Sequence, residues 1–403
     1  MTMSSIDADG RRKRRCPICG ELQVQHLFRQ SFEPLSGVTF LESYHVVVCA
    51  QCGFGFADGI PTQDVFDAYY RDLSKYEHQH SGGKESPSEA NRFLETAATI
   101  AQFIPSKTAR VLEIGCATGK LLSLVRDAGF PSIQGLDPSP GCARAAYDLY
   151  KVPVLTSSLF TIPPPEKLYD FIILLHVMEH VEDLGKAVEC IRSVLAPNGR
   201  VFVEVPDGSR LAGRPDAPYQ EFSNEHINFF STVSLSNLFK TNGFSVVTTG
   251  EGVHQQCENT MCNVAWGVYE ATETPQEAEP DRVSEPGLRR YIEESADTDR
   301  RVVQAIRDGA RNRELLVWGT GAHTRRLLAT GAFTDIRIVA FIDSNPQYQG
   351  RELRGVPVIS PTSIHGHTEP ILISTRGFQR EIRDQIRDQL RLKNEVILLY
   401  DAD

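Results

Sequence analysis

No apolar stretch in this chain approaches the roughly 20 residues needed to cross a bilayer as a helix. No secretory leader is evident either: the start is polar, then basic, with nothing apolar behind it. The chain therefore reads as cytoplasmic, with no membrane partner. Positive charge is in short supply as well. The net charge of −10 argues against a general nucleic-acid binder, which carries a basic excess. One local exception is the run Arg11-Arg12-Lys13-Arg14-Arg15, which reads as part of a flexible basic tail over residues 1–15 rather than a nucleic-acid arm. A phosphate-binding loop is missing too. Lys120 follows Gly119, but Leu121 stands where a magnesium-binding hydroxyl belongs, and the first glycine of such a loop is absent.

The 403 residues have the apolar and charged balance of a soluble globular protein and suffice for two or three domains. Four of the nine cysteines stand in paired spacing, as Cys16-Pro-Ile-Cys19 and Cys49-Ala-Gln-Cys52. In a reducing compartment that pattern reads as metal ligation rather than disulfides. Two knuckles can aim four thiolates at one tetrahedral zinc ion, and four protein ligands leave no open position, so the metal is expected to be structural.

From about residue 96 to 250, short apolar runs alternate with amphipathic segments. The runs are Val111–Ile114, Ile133–Leu136, Phe171–Leu175, Val201–Val205 and Phe244–Thr249; the segments between them include Leu184–Leu195 and Val233–Thr241. This alternation predicts a parallel sheet with helices on both faces. Ala271–Pro286, dense in Glu, Pro and Thr, reads as a loop or linker rather than packed structure. A helix is expected from about Leu288 to Ala310. Beyond it a second α/β pattern begins with Leu315–Trp318, the loop Gly319-Thr320-Gly321 and a helix over Thr324–Leu328. The strand Ile336–Ile342 then ends at Asp343, and Val356–Ile359, Ile371–Ser374 and Val396–Tyr400 complete a smaller sheet. The fold class read from this is α/β: a small N-terminal zinc-binding domain (16–60), a Rossmann-like core with a substrate lid (61–270) and a smaller C-terminal Rossmann-like domain (271–403).

The most informative stretch is Val111-Leu-Glu-Ile-Gly-Cys-Ala-Thr-Gly119. A buried strand carrying Glu113 breaks at Gly115 and Gly119 into a helix start, where a ligand can lie against bare backbone. Asp137 ends the next apolar run, about where a Rossmann-type sheet puts its ribose-binding carboxylate. This loop resembles motif I of class I S-adenosylmethionine (SAM)-dependent methyltransferases. Three further segments carry chemistry. His176-Val-Met-Glu-His180 follows the strand Phe171–Leu175, at the end where open α/β sheets bind ligands. Phe222-Ser-Asn-Glu225-His226-Ile-Asn-Phe-Phe-Ser231 follows a Pro/Gly-rich excursion from Pro206 to Pro218. A carboxylate beside a histidine can tune a general base, or be a helix-entry feature with Ser231 as the N-cap. Tyr69-Tyr70 through Tyr76 to His80-Ser81 is dense enough in Tyr and His for a substrate-facing lid or an aromatic patch.

The order of these parts resembles the three-domain SAM-dependent C-methyltransferases that act on nucleotide-linked 4-keto-deoxysugars. The resemblance runs from Cys16 to about Tyr400. It rests most on the cysteine quartet, on Asn224-Glu225-His226 through Ser231, and on the tail Phe341-Ile-Asp-Ser-Asn-Pro346 with Gly355-Val-Pro-Val-Ile359. It implies SAM and a structural zinc as cofactors, with Cys116, Ser158, Leu159 and His176 joining Glu113, Gly115, Gly119 and Asp137 at the cofactor. It also implies His226 as the proton-abstracting base with Glu225 beside it, and His180 and Tyr76 as further active-site groups. Ser223 stands where those enzymes carry a tyrosine, which leaves the sugar open. The expected partners are a small-molecule substrate, a nucleotide-linked sugar, and at most a weak homo-oligomer, with no nucleic acid. An N- or O-methyltransferase, or one acting on a non-sugar acceptor, stays open on the same scaffold. A nonenzymatic zinc-ribbon scaffold is opposed by the cofactor set, which it would not need.

Overall fold

The computed structural model describes residues 13–38, 41–72, 87–257 and 260–400. β1 (Val24–Ser31), β2 (Ser43–Cys49) and β3 (Gly55–Asp58) form an antiparallel meander. The two cysteine knuckles sit at its ends, since Cys49 closes β2 opposite Val24. Helix α1 (Gln63–Asp72) follows, and α2 (Pro87–Ala101) leads into the large sheet.

That sheet is built from β4 (Val111–Ile114), β5 (Ile133–Asp137), β6 (Val154–Thr156), β7 (Tyr169–Leu175) and β8 (Leu195–Pro206), all parallel. Helices α3 (Lys120–Asp127), α4 (Pro140–Tyr150) and α5 (Leu184–Val194) are the crossovers. β4 and most of β7 are fully buried, because strands covered on both faces can be apolar throughout. β9 (Asn228–Phe229) leaves this sheet and pairs with β3, joining the cysteine unit to the segment that carries His226. Ser231 caps α6 (Thr232–Thr241) in a capping box with Ser234, as expected.

The sheet is not wholly parallel. β10 (Phe244–Cys257) turns back into β11 (Thr260–Ala271), which pairs antiparallel with both β10 and β8. The order becomes β10-β11-β8-β7-β4-β5-β6. The sequence conceals this hairpin because Thr248-Thr249-Gly250-Glu251-Gly252 carries no apolar alternation. Its edge strand is held by backbone pairing to β11 rather than by a buried face.

Helix α7 (Ser284–Ala310) precedes the third sheet: β12 (Leu315–Trp318), α8 (Ala322–Ala329), β13 (Ile338–Ile342), β14 (Glu352–Leu353), β15 (Val356–Ile359), β16 (Ile371–Ile373), α9 (Gln379–Asp384) and β17 (Val396–Leu398). Its order is β14-β15-β13-β12-β16-β17, parallel apart from β14. This unit also reaches the first meander. Glu33 N donates to Arg325 O at 3.0 Å and Arg325 Nε donates to Glu33 O at 2.6 Å. Leu35 is buried in the same apolar cluster as Val317 and Phe341.

Two expectations need correcting. The acidic stretch before α7 is not a loose linker throughout. The buried Asp281 carboxylate accepts from Ser231 Oγ (2.5 Å), Ser284 Oγ (2.7 Å) and Ser284 N (3.0 Å), and Asp281 N donates to Cys52 O (2.8 Å). A carboxylate so supplied with donors can be buried despite the polar composition around it. Nor does the expected basic tail extend to Arg14, which is 7% exposed. Among the described residues no helix is long and apolar enough to cross a membrane.

Candidate functional site

A cavity of about 740 Å³ lies where the carboxyl ends of β4, β5, β7 and β8 meet the loops that follow β12, β13 and β16. Open α/β sheets bind ligands at such strand ends, and here two sheets turn that end toward one space.

At the β4 end, Gly115 has φ 74° and Gly119 φ 75°. A Cβ on Gly115 would meet Val177 Cγ2 at 2.6 Å, so the turn needs glycine. Asp137 closes β5, accepting from Ala117 N on Oδ2 and from Ser139 N on Oδ1, each at 2.9 Å. Glu113 is buried with Oε2 lacking a partner; burial, then the charge of Asp137, pushes its carboxyl well above the usual range. Ser158 caps the short turn Leu159–Thr161. His176 takes a left-handed φ of 54° directly after β7. Seven of the eight residues assigned to the cofactor line the cavity, while Gly119 sits beneath it against Ala146 and Val152. A buried carboxylate with one oxygen left without a partner and a glycine turn fit a ligand carrying ribose hydroxyls and an amine.

Beyond this end stands a cluster of histidines and carboxylates. The His180 and His226 rings lie 5.0 Å apart at 61°. His180 Nδ1 is 3.0 Å from Glu225 O, and Tyr70 meets its ring edge-on at 5.6 Å. Glu179 Oε1 lies 3.2 Å from His176 Nδ1 and 3.8 Å from His180 Nε2. Burial alone would raise the Glu179 carboxyl, but His180, His176 and His226 outweigh it and hold it at about 2. His180 is pushed down, burial outweighing the charge of Glu179. His226 moves the other way. Burial would lower it, yet the Glu221 carboxylate beside the ring and the charges of Glu179 and Glu225 raise it overall. Two adjacent imidazoles with opposed shifts suit one neutral group and one that accepts a proton.

The carboxylate paired with His226 is Glu221, whose Oε2 lies 3.3 Å from His226 Nδ1. The adjacent Glu225 does not take that part through a hydrogen bond; its Oε1 accepts from Tyr69 Oη at 3.1 Å. Neighbouring side chains in a tight turn diverge, whereas a residue five positions earlier folds back onto the ring. Ser223 closes this turn, its Oγ accepting from Glu225 N (3.2 Å) and His226 N (3.1 Å). Tyr76 and Ser81 lie outside the described residues, as do His78 and His80.

Across the cavity, Asp343 accepts from Thr320 N at 2.9 Å on Oδ2 and from Asn345 N at 2.8 Å on Oδ1. This repeats the Ala117–Asp137 arrangement in the other sheet. Thr320, Gly321, Arg325, Asp343 and Arg376 all line the cavity. The sulfurs of Cys16, Cys19, Cys49 and Cys52 converge within 4.8 Å, with Cys16–Cys52 and Cys19–Cys49 each at 3.5 Å. A tetrahedral zinc with bonds of about 2.3 Å spaces its sulfurs at about 3.8 Å, so the quartet fits one ion.

A model described as a methyltransferase domain matches residues 88–249, which span the cofactor loop, His180 and His226. The chain carries a class I SAM-dependent methyltransferase domain. Residues 311–398, beyond the methyltransferase domain, match a model described as C2185-like, N-terminal. Over 211 residues, half of this chain and 46% of the relative, the sequence is 26% identical to the C-methyltransferase NovU of Streptomyces niveus. It is 32% identical over 143 residues to a protein of Mycolicibacterium smegmatis described as "Probable S-adenosylmethionine-dependent methyltransferase", covering 34% of this chain and 53% of that one. A 26% identity over 203 residues, 44% of this chain and 55% of the relative, relates it to the mitochondrial ubiquinone biosynthesis O-methyltransferase of Bos taurus. The chain thus spans about half the length of these curated relatives.

Proposed function

We propose that the protein methylates the carbon beside a carbonyl of a nucleotide-linked deoxysugar, with His226 as the base that forms the enolate. The observation that carries this reading is the continuity of the cavity from the Gly115 turn, past His180, His226 and Glu221, to Thr320, Asp343 and the two arginines of the third sheet. A substrate with a reacting ring and an anionic nucleotide end has a complement at each end of that space. The similarity to a C-methyltransferase over half of the chain supports the same reading.

Glu113, the Gly115 turn and Asp137 would hold SAM, which supplies an electrophilic methyl group when bound. His226, tied at Nδ1 to Glu221, presents Nε2 to the α-proton; the Glu221 carboxylate stabilises the imidazolium that forms. His180 stays neutral by burial; with Nδ1 donating to the Glu225 carbonyl it keeps a lone pair on Nε2 and walls the cavity beside the His226 ring. Tyr76 is proposed as a further hydroxyl contact. Arg325, Arg376 and the amino end of α8 would meet the diphosphate. The cysteine quartet is proposed to hold a structural zinc.

The test is incubation with a panel of nucleotide 4-keto-sugars in deuterated water, first without SAM and then with labelled SAM. Deuterium entering beside the carbonyl without SAM, and a label on carbon with it, are the expected results. A second reading, oxygen methylation, is favoured by the similarity to a ubiquinone biosynthesis O-methyltransferase. Label on oxygen with no deuterium uptake would establish that reading and remove the first.

A further inference from the structure

Arg14 stands two residues before Cys16, in the run that its composition marks as a solvated tail. Its backbone N donates to Asp58 Oδ1 at 2.7 Å, and its guanidinium lies 5.6 Å from the centre of the Phe56 ring. Nη1 donates to Ile227 O at 3.3 Å. Nη2 donates to Val181 O at 3.3 Å and to Glu182 O. These three carbonyls come from only two places in the chain. Val181 and Glu182 follow His180, and Ile227 follows His226.

One buried cation therefore ties together the residues that come directly after the two histidines. Asn228 makes a second tie across the same seam, its Nδ2 donating to Met178 O (2.9 Å) and Val181 O (2.7 Å). Ile227 N adds a third, to Glu179 O at 2.9 Å. An arginine that served only to anchor its own segment would find acceptors in the cysteine unit. Here the backbone N does that, while the guanidinium donates to carbonyls of the other two loops. The three carbonyls are met from two separate nitrogens of one rigid plane, Nη1 and Nη2; an ammonium also has three donors but presents them from a single point on a flexible stem.

We propose that Arg14 is a positioning residue that fixes the separation and tilt of the His180 and His226 rings. The proposal rests on the reading of these histidines as the acid–base pair of methyl transfer. His226 faces His180 and Glu179 from the loop after β7, and Glu221 and Glu225 from its own segment. Slackening the seam changes how these groups face the ring while leaving the Gly115 turn and Asp137 untouched. The role is also of a kind that motifs do not report, since Arg14 reaches no ligand and acts through three backbone oxygens.

The experiment compares the wild type with Arg14→Ala, Arg14→Lys and a control, Arg15→Ala, whose exposed side chain donates to Gly20 O. Each is labelled with ¹⁵N-histidine, and His226 Nε2 is titrated by NMR, assigned with His226→Asn. The same proteins are assayed for SAM affinity, metal content and deuterium exchange into a nucleotide 4-keto-sugar. With Arg14→Ala the His226 titration should shift and exchange should fall at least tenfold, SAM affinity staying within twofold. Arg14→Lys should fall between, added guanidinium should restore part of the loss in Arg14→Ala, and Arg15→Ala should match the wild type. A folded Arg14→Ala or Arg14→Lys protein with the wild-type His226 titration would overturn the proposal. If Arg14→Ala does not fold, Arg14→Lys carries the test alone. A shifted titration in a protein that exchanges no deuterium, wild type included, would remove the proposed reaction but keep the clamp.

Discussion

At the level of single residues, the pairing of Glu221 with His226 gives the site a working pH range. A base must be unprotonated, and His226 is held above its ordinary value, so exchange and methyl transfer should rise with pH through a midpoint above the usual imidazole range of about 6.5. With Glu221→Gln, burial is no longer offset to the same degree. The acid limb should move to lower pH while the plateau rate falls, because the imidazolium loses its counter-charge. An unmoved midpoint in the pH–rate profile would assign Glu221 to structure alone. Stability runs the opposite way: protonated His226 contributes below its unfolded value, and that contribution is lost as pH rises through the raised folded value. Asp137→Ala should weaken SAM binding by about 2–4 kcal/mol, the worth of charge-assisted bonds to ribose; calorimetry giving wild-type affinity would remove the assignment. The glycine turn, Asp137, His180 and His226 were legible because each is punctuated by a strand end or sits in a motif. Glu221 was not, because adjacency in sequence favoured Glu225, and only the turn closed by Ser223 decides which carboxylate reaches the ring.

Among the elements, the crossovers of the large sheet were legible from apolar runs bounded by turns. The β10–β11 hairpin was not, because its pairing is carried by the backbone and its outer strand is polar. Asp281 teaches the same lesson in a segment with no regular structure. Its carboxylate joins the cap of α6 to the start of α7 while its amide reaches Cys52. Asp281→Ala leaves two buried serines and a helix start without their acceptor and should cost about 2–4 kcal/mol in stability. Urea denaturation is the measurement, and a loss below about 0.5 kcal/mol, within the usual range for surface substitutions, would return the segment to the status of a linker.

At the scale of the whole molecule, the cysteine unit touches both of its neighbours. β3 pairs with β9, Asp281 meets Cys52, and Glu33 exchanges hydrogen bonds with Arg325. Metal in the quartet should therefore stabilise more than its own meander. Protein prepared without chelator should contain one zinc per chain, and Cys49→Ser should lower folding yield. Removing the metal should raise amide exchange in β1–β3 and also in α8. Faster exchange confined to β1–β3 would mean that the third sheet stands independently. Sequence alone divides the chain into consecutive blocks; it does not reveal that the first and last blocks share a core, because contacts such as Leu35 with Leu353 span more than 300 residues.

The buried guanidinium ahead of Cys16 also bears on where this molecule can be trimmed. A boundary drawn by motif falls at the first cysteine, and everything before it looks dispensable. A chain begun there would keep its quartet, its cofactor turn and the residues of all three sheets. It would have lost one of the three ties between the loops that carry its two histidines. Fragments of such a protein, chosen by how well they fold, would then be retained as sound while turning over slowly, and the fault would be sought in the wrong part of the chain.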